Sequence, residues 1–196
     1  MSRPEVYVSI DVETDGPCAG INSMLAIGAV AFDQYEKELG AYYATLEPLP
    51  GMVQNPTTME WWKTQPEAWA EVTSAPDPAE YMIPQFVRWL EHDLRGNKLI
   101  AVAWPDAFDF AFVNFYCHKF CGRNPLGFAA CDIRSYANGL AGYRNYYGLR
   151  QSDIETMAGS IDRAGLRPHV ALDDAIEQGR LFMALRRYAT KPGSKQ

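Results

Sequence analysis

An α/β fold around a mixed five-stranded sheet is the architecture that the sequence predicts. Two observations carry it. Three apolar strands joined by short connections come first, and helix then alternates with strand to the end of the chain. Residues 5–13, Met24–Phe32 and Ala41–Leu46 read as the strands, and Gly, Asn and Asp in their connections favour an antiparallel meander. Thr58–Thr73, rich in Trp, Glu and Ala, begins a helical region. Ala79–Leu94 continues it, with Met82, Phe86, Trp89 and Leu90 at helical spacing. Leu99–Trp104 is continuously apolar, as a strand buried on both faces is. Asp106 then opens a helix to about Phe120 and is placed to cap its N-terminus. A short strand near Phe128–Ile133, further helical and loop pieces, and a helix from about Val170 to Tyr188 complete the order.

The 196 residues suffice for one domain with a sizeable core, residues 1–196, with a disordered tail expected from about residue 191. A hydrophobic fraction of 47% with 21% charged residues excludes a disordered chain. No apolar stretch is long enough to span a bilayer, and Met-Ser-Arg-Pro-Glu-Val lacks the apolar core of a signal peptide. Cys18, Cys117, Cys121 and Cys131 show no disulfide-framework spacing, so a cytoplasmic protein with reduced thiols is expected. The net charge of −6 is uneven. Residues 1–120 carry 7 basic and 17 acidic side chains, residues 121–196 carry 11 and 7. Carboxylates that hold metal ions are neutralised by them, so the overall sign does not argue against a nucleic-acid partner.

The first strand ends in Asp11-Val-Glu13, and Thr14-Asp15-Gly16-Pro17 breaks it. Side chains at i and i+2 of a strand share a face, so the two carboxylates project together. Alone they read as solvated acids at a strand end. A hard divalent cation with oxygen ligands would also relieve their repulsion. Asp109, in Phe108-Asp109, lies near the carboxyl edge of the buried strand, where ligands of open α/β sheets bind. It also suits the first turn of a helix, where an acid favours the dipole. His169 precedes Asp174 by five residues, close enough for both to serve one site. Helical periodicity leaves open whether Asp173 or Asp174 faces the sheet.

Together these residues resemble the DEDDh group of 3′–5′ exonucleases, whose fold is ribonuclease H-like. The motifs are Asp11-Val-Glu13-Thr14, Phe108-Asp109, and His169 followed by Asp174, in the family's order across nearly the whole chain. The family's spacing selects Asp174 over Asp173. Met24-Leu-Ala-Ile-Gly-Ala-Val-Ala-Phe-Asp33 looks like the family's second strand. Thr57 to Ala68 is similar to a segment of exodeoxyribonuclease VIII-like and bacterial exoribonuclease members, although Trp61-Trp62 also suits plain core packing. Trp104-Pro105 departs from the His-Asn that many members carry ahead of the second motif.

The resemblance implies hydrolysis of DNA or RNA from the 3′ end with two Mg²⁺ or Mn²⁺ ions about 3.5–4 Å apart, releasing nucleoside 5′-monophosphates. Asp11 would bridge the two ions. Glu13 and Asp174 would complete the site of the attacking water, and Asp109 would support the second ion. His169 would be the general base, as imidazole titrates near working pH. Thr14 and Gly16 would contact the terminal nucleotide, since a Gly lets backbone approach closely. A homodimer would fit the family. Tyr143-Arg-Asn-Tyr-Tyr-Gly-Leu-Arg150 mixes aromatics with arginines, which suits single-stranded nucleic acid, a dimer surface or a packed loop alike. Cys117-His118-x-x-Cys121 lacks an evident fourth zinc ligand and reads better as buried thiols on an aromatic helix. The competing reading is an inactive family member that only binds nucleic acid or protein.

Overall fold

A computed structural model describes residues 3–190. The tail expected from about residue 191 lies outside the described residues. Five strands form one sheet: β1 (Glu5–Thr14), β2 (Met24–Asp33), β3 (Glu38–Thr45), β4 (Lys98–Ala103) and β5 (Ala130–Asp132), in the order β3-β2-β1-β4-β5. β2 is antiparallel to β1 and to β3, while β4 is parallel to β1 and β5 parallel to β4. β1 is therefore central, and its carboxyl end lies beside that of β4.

Two cores cover the two faces of this sheet. On one, Ile83, Phe86 and Val87 of α3 (Ala79–Arg88) and Phe112, Val113 and Tyr116 of α4 (Asp106–Cys121) pack against Val8, Ile10 and Ile27. Cys117 lies buried in this core. On the other, α5 (Ile133–Leu140), α6 (Gln151–Ala158) and α7 (Ala171–Thr190) cover Tyr7, Val30, Phe32 and Val102. Among the described residues no helix is long and apolar enough to cross a membrane.

Local chemistry moved several predicted boundaries. The helical region expected over Thr58–Thr73 holds two helices, α1 (Pro56–Trp62) and α2 (Pro66–Thr73), separated because Pro66 lacks an N–H and disfavours a helical residue before it. Asp106 does not cap α4. Pro105 occupies the capping position with extended backbone, no side chain caps this end, and Asp106 is the first helical residue. The last strand shrinks to three residues, with Phe128 97% exposed before it and Ile133 already starting α5. There the Asp132 side chain accepts the Ser135 N–H at 2.7 Å, so its cap ends the strand.

A single glycine brings α7 onto the sheet. Gly28 of β2 pairs with Asp11 of β1, and a Cβ on it would lie 2.2 Å from the backbone carbonyl of Ala171. Backbone cannot swing aside as a side-chain tip can, so the start of α7 would have to move. Gly28→Ala is expected to cost about 1–3 kcal/mol, read as a fall of roughly 2–4 °C in Tm per kcal/mol.

Candidate active site

Four acids and one imidazole converge at the carboxyl ends of β1 and β4, where the start of α7 crosses the sheet. Asp11 and Glu13 come from β1, Asp109 from the first turn of α4, His169 from the loop before α7, and Asp174 from its first turn. Ligand atoms of Glu13, His169 and Asp174 lie within 4.8 Å of one another. Asp11 feels the charges of Asp109, Glu13 and Asp174, so all four acids share one field.

Each group is held by an identifiable contact. The Val12 N–H donates to Asp109 Oδ1 at 3.2 Å, tying α4 to β1. Gln178 Nε2, one helical turn beyond Asp174, donates to Asp11 Oδ1 at 2.7 Å. The backbone N–H of His169 donates to Asp174 Oδ2 at 2.8 Å, which closes the turn that opens α7. His169 sits at φ +60°, a left-handed conformation that few non-glycine residues adopt. Its ring meets that of Trp61 edge to face, with centroids 4.9 Å apart.

The structure also separates the neighbouring acids. Asp173 is engaged by Arg167, whose Nε donates to it at 3.0 Å while Nη1 reaches Glu71 of α2 at 3.1 Å. This bridge ties the loop before His169 to α2. Asp15 is likewise occupied, its Oδ1 accepting the Ser23 N–H at 2.6 Å.

Burial and mutual repulsion dominate the electrostatics. Burial first, then Asp109, Glu13 and Asp174, push the Asp11 carboxyl well above the usual carboxylate range, against the Gln178 hydrogen bond. Burial, followed by Asp174 and Asp109, raises Glu13 to about 8. Burial raises Asp109 to about 8, against the bond from Val12. Burial also lifts Asp174 to about 6, against the His169 N–H. Asp109 is 2% exposed, and its Oδ2 is buried without a hydrogen-bond partner among the described residues. Four clustered acids with an unsatisfied buried oxygen make a donor set suited to a hard divalent cation, which both neutralises and coordinates them.

The unfolded chain releases these carboxyl protons near the ordinary carboxylate value of about 4, whereas the folded chain keeps them until about 8. The folded state thus binds more protons across that window and loses stability as pH rises through it. In EDTA, the urea midpoint is expected to fall by roughly 1 M between about pH 5 and about pH 8.5.

Beside Glu13 lies a mainly apolar groove of about 460 Å³, walled by Thr14, Gly16, Trp61, Trp62 and Phe108. Trp62 is buried and donates its indole N–H to the Thr14 carbonyl at 2.9 Å, so it anchors the groove, whereas Trp61 lines its mouth beside His169. Thr14 Oγ1 donates to the Gly16 carbonyl at 2.8 Å. A Cβ on Gly16 would lie 2.3 Å from the Asn22 side chain, so the missing side chain makes room for Asn22 within the fold. Sequence reasoning missed Gln178 and Gly28. A glycine inside an apolar strand signals close backbone approach, but nothing around Gln178 singles it out.

A five-stranded sheet of this order bearing these motifs resembles the DEDDh class of 3′–5′ exonucleases. More narrowly, residues 6–185 match the model of the Rv2179c-like 3′-5′ exoribonuclease domain, and the chain belongs to that family. The 3′-5′ DNA exonuclease Cap18 of Escherichia coli is 32% identical over 189 residues, 95% of each chain. Among solved structures, the nuclease domain of 3′hExo, a DEDDh family member bound to rAMP, superposes with a TM-score of 0.69. It is 14% identical, over 94% of this chain and 92% of that one. Pop2p of S. pombe, in a form with Mg²⁺ and Mn²⁺ bound, gives 0.62 at 15% identity, over 94% of this chain and 83% of that one. E. coli exonuclease I in complex with a dA16 oligonucleotide gives 0.64 at 12% identity, over 93% of this chain and 41% of that one.

Proposed function

We propose that this exonuclease removes nucleoside 5′-monophosphates one at a time from the 3′ end of single-stranded DNA or RNA, using two Mg²⁺ or Mn²⁺ ions. The observation that carries this reading is the convergence of Asp11, Glu13, Asp109 and Asp174 with His169 beside one sheet edge. Asp11, Glu13, Asp109 and Asp174 would hold the ions, and the unpartnered Oδ2 of Asp109 supports a donor role for that residue. When bound, such ions lower the pKa of a coordinated water and neutralise charge on the phosphoryl oxygens. Oxygen donors favour Mg²⁺ or Mn²⁺ over zinc.

His169 is the general base in this reading, with its imidazole free of the backbone bond that fixes its main chain. Trp61 limits its swing by edge contact. The apolar groove between Thr14, Gly16 and Phe108 takes the terminal nucleoside, whose base and sugar faces suit such walls. The relatives support both nucleic acids, since Cap18 is a DNA exonuclease and the family is named for an exoribonuclease.

Matched 3′-labelled single-stranded DNA, single-stranded RNA and duplexes, digested with Mg²⁺, with Mn²⁺ and with EDTA, test the proposal. Labelled mononucleotides are expected first from the single strands, and none in EDTA. Release of internal fragments, or shortening that persists in EDTA, would overturn it.

A further inference from the structure

We propose that a second, polar groove on the α7 side of the acids carries the single-stranded nucleic acid that leads into the site, with Arg134 and Trp104 of its lining, and Tyr147 beside Arg134, as the contacts. The proposal rests on the exonuclease reading above. It also explains a cluster that the reaction itself does not use.

The groove, about 410 Å³, shares Asp174 and Gln178 with the acid cluster, and Gln178 holds Asp11. The apolar groove shares Glu13 with the same cluster. A scissile phosphate joins two nucleosides. If it lies at the acids with the terminal nucleoside in the apolar groove, the polar groove, which also meets the acids, offers the rest of the strand a way out.

Arg134 and Trp104, which line that opening, and the tyrosines beside Arg134 fit a strand. Arg134 on α5 donates from Nη1 to the Leu149 carbonyl at 2.8 Å, which fixes its guanidinium. The guanidinium carbon lies 5.3 Å from the Trp104 ring centroid and 5.9 Å from those of Tyr146 and Tyr147. Tyr147 is 84% exposed, an aromatic ring held in solvent beside a cation. The other arginine of the groove, Arg163, is engaged by Glu177 at 2.7 Å and Glu155 at 3.6 Å, so it offsets the two acids of the lining that stand outside the acid cluster. Arg134 makes no ion pair with any described residue. A positioned guanidinium without a carboxylate partner, set among rings, offers a phosphate contact and stacking faces together, which is how single strands are bound. The groove tells a polymer from a mononucleotide, because it meets only nucleotides upstream of the bond that is cut.

Binding without cleavage provides the test. Fluorescence anisotropy in EDTA would measure the full-length chain against labelled six-residue oligomers of thymidine and of uridine, and against the matching dinucleotides. Arg134→Ala and Tyr147→Ala are each expected to weaken both hexamers by about five- to a hundredfold, and the dinucleotides far less. Arg134→Ala should also lower the salt slope of hexamer binding by about 0.7, one single-strand phosphate contact. Equal losses at both lengths, or unchanged hexamer affinity, would overturn the proposal. So would lost self-association with unchanged hexamer affinity, which would make the cluster a dimer surface. Tyr147 is exposed on a loop, so its replacement leaves the fold intact if Arg134→Ala does not. Wild-type chain that binds hexamers but cuts nothing with Mn²⁺ would fail the exonuclease reading alone.

Discussion

Asp11→Asn is expected to lower kcat on single-stranded oligonucleotides at least about a thousandfold, about 4 kcal/mol of transition-state stabilisation, while raising the Tm of the metal-free chain. The opposite signs come from one cause. Asp11 lies among Asp109, Glu13 and Asp174, whose charges disfavour its own. Without metal that repulsion is uncompensated, so a neutral amide of the same shape relieves it, and roughly 2–4 °C per kcal/mol should appear in thermal unfolding in EDTA. The amide oxygen can still accept the bond that Gln178 donates to Asp11. A variant that lost Tm together with activity would point to structural damage instead.

His169→Asn should lower kcat by about 10²–10⁴ with KM little changed, the range for a lost general base. Asparagine is the informative replacement because it tolerates the left-handed backbone at φ +60°, where alanine would add strain of its own. The backbone N–H to Asp174 is retained, so α7 still begins where it does. Steady-state kinetics at saturating Mn²⁺ decide the matter, and unchanged kcat would remove His169 from the proton transfer.

Much of the frame was legible in the residues. β1, β2 and β4 announce themselves as apolar runs, since a strand buried on both faces has no polar side to interrupt it. The pairing of Asp11 with Glu13 follows from the two-residue period of a strand. Boundaries were less legible where one residue serves two purposes. Asp106 has the side chain of a cap, yet the chain leaves β4 so that Pro105 takes that position. The helical region expected over Thr58–Thr73 is divided before Pro66, and Trp62, at the end of its first helix, bonds the Thr14 carbonyl.

The candidate site divides along the same line. Spacing along the chain puts His169 and Asp174 within reach of each other, because a turn of five residues closes locally. It does not tell Asp173 from Asp174. In the structure Arg167 engages Asp173 and also reaches Glu71 of α2, far away in sequence, while Asp174 lies with Glu13 and His169. The roles of Gly28 and Gln178 exist only once α7 lies across β1 and β2.

The sequence by itself determined the strands, their alternation with helices and the local pairs of acids, since covalent spacing and backbone period govern those. Only the tertiary structure decided which carboxylates share one site, what holds each in place and which two grooves open onto them. The contacts responsible join residues 97 and 167 positions apart, and such pairs meet through sheet register and helix docking rather than through any local preference of the chain.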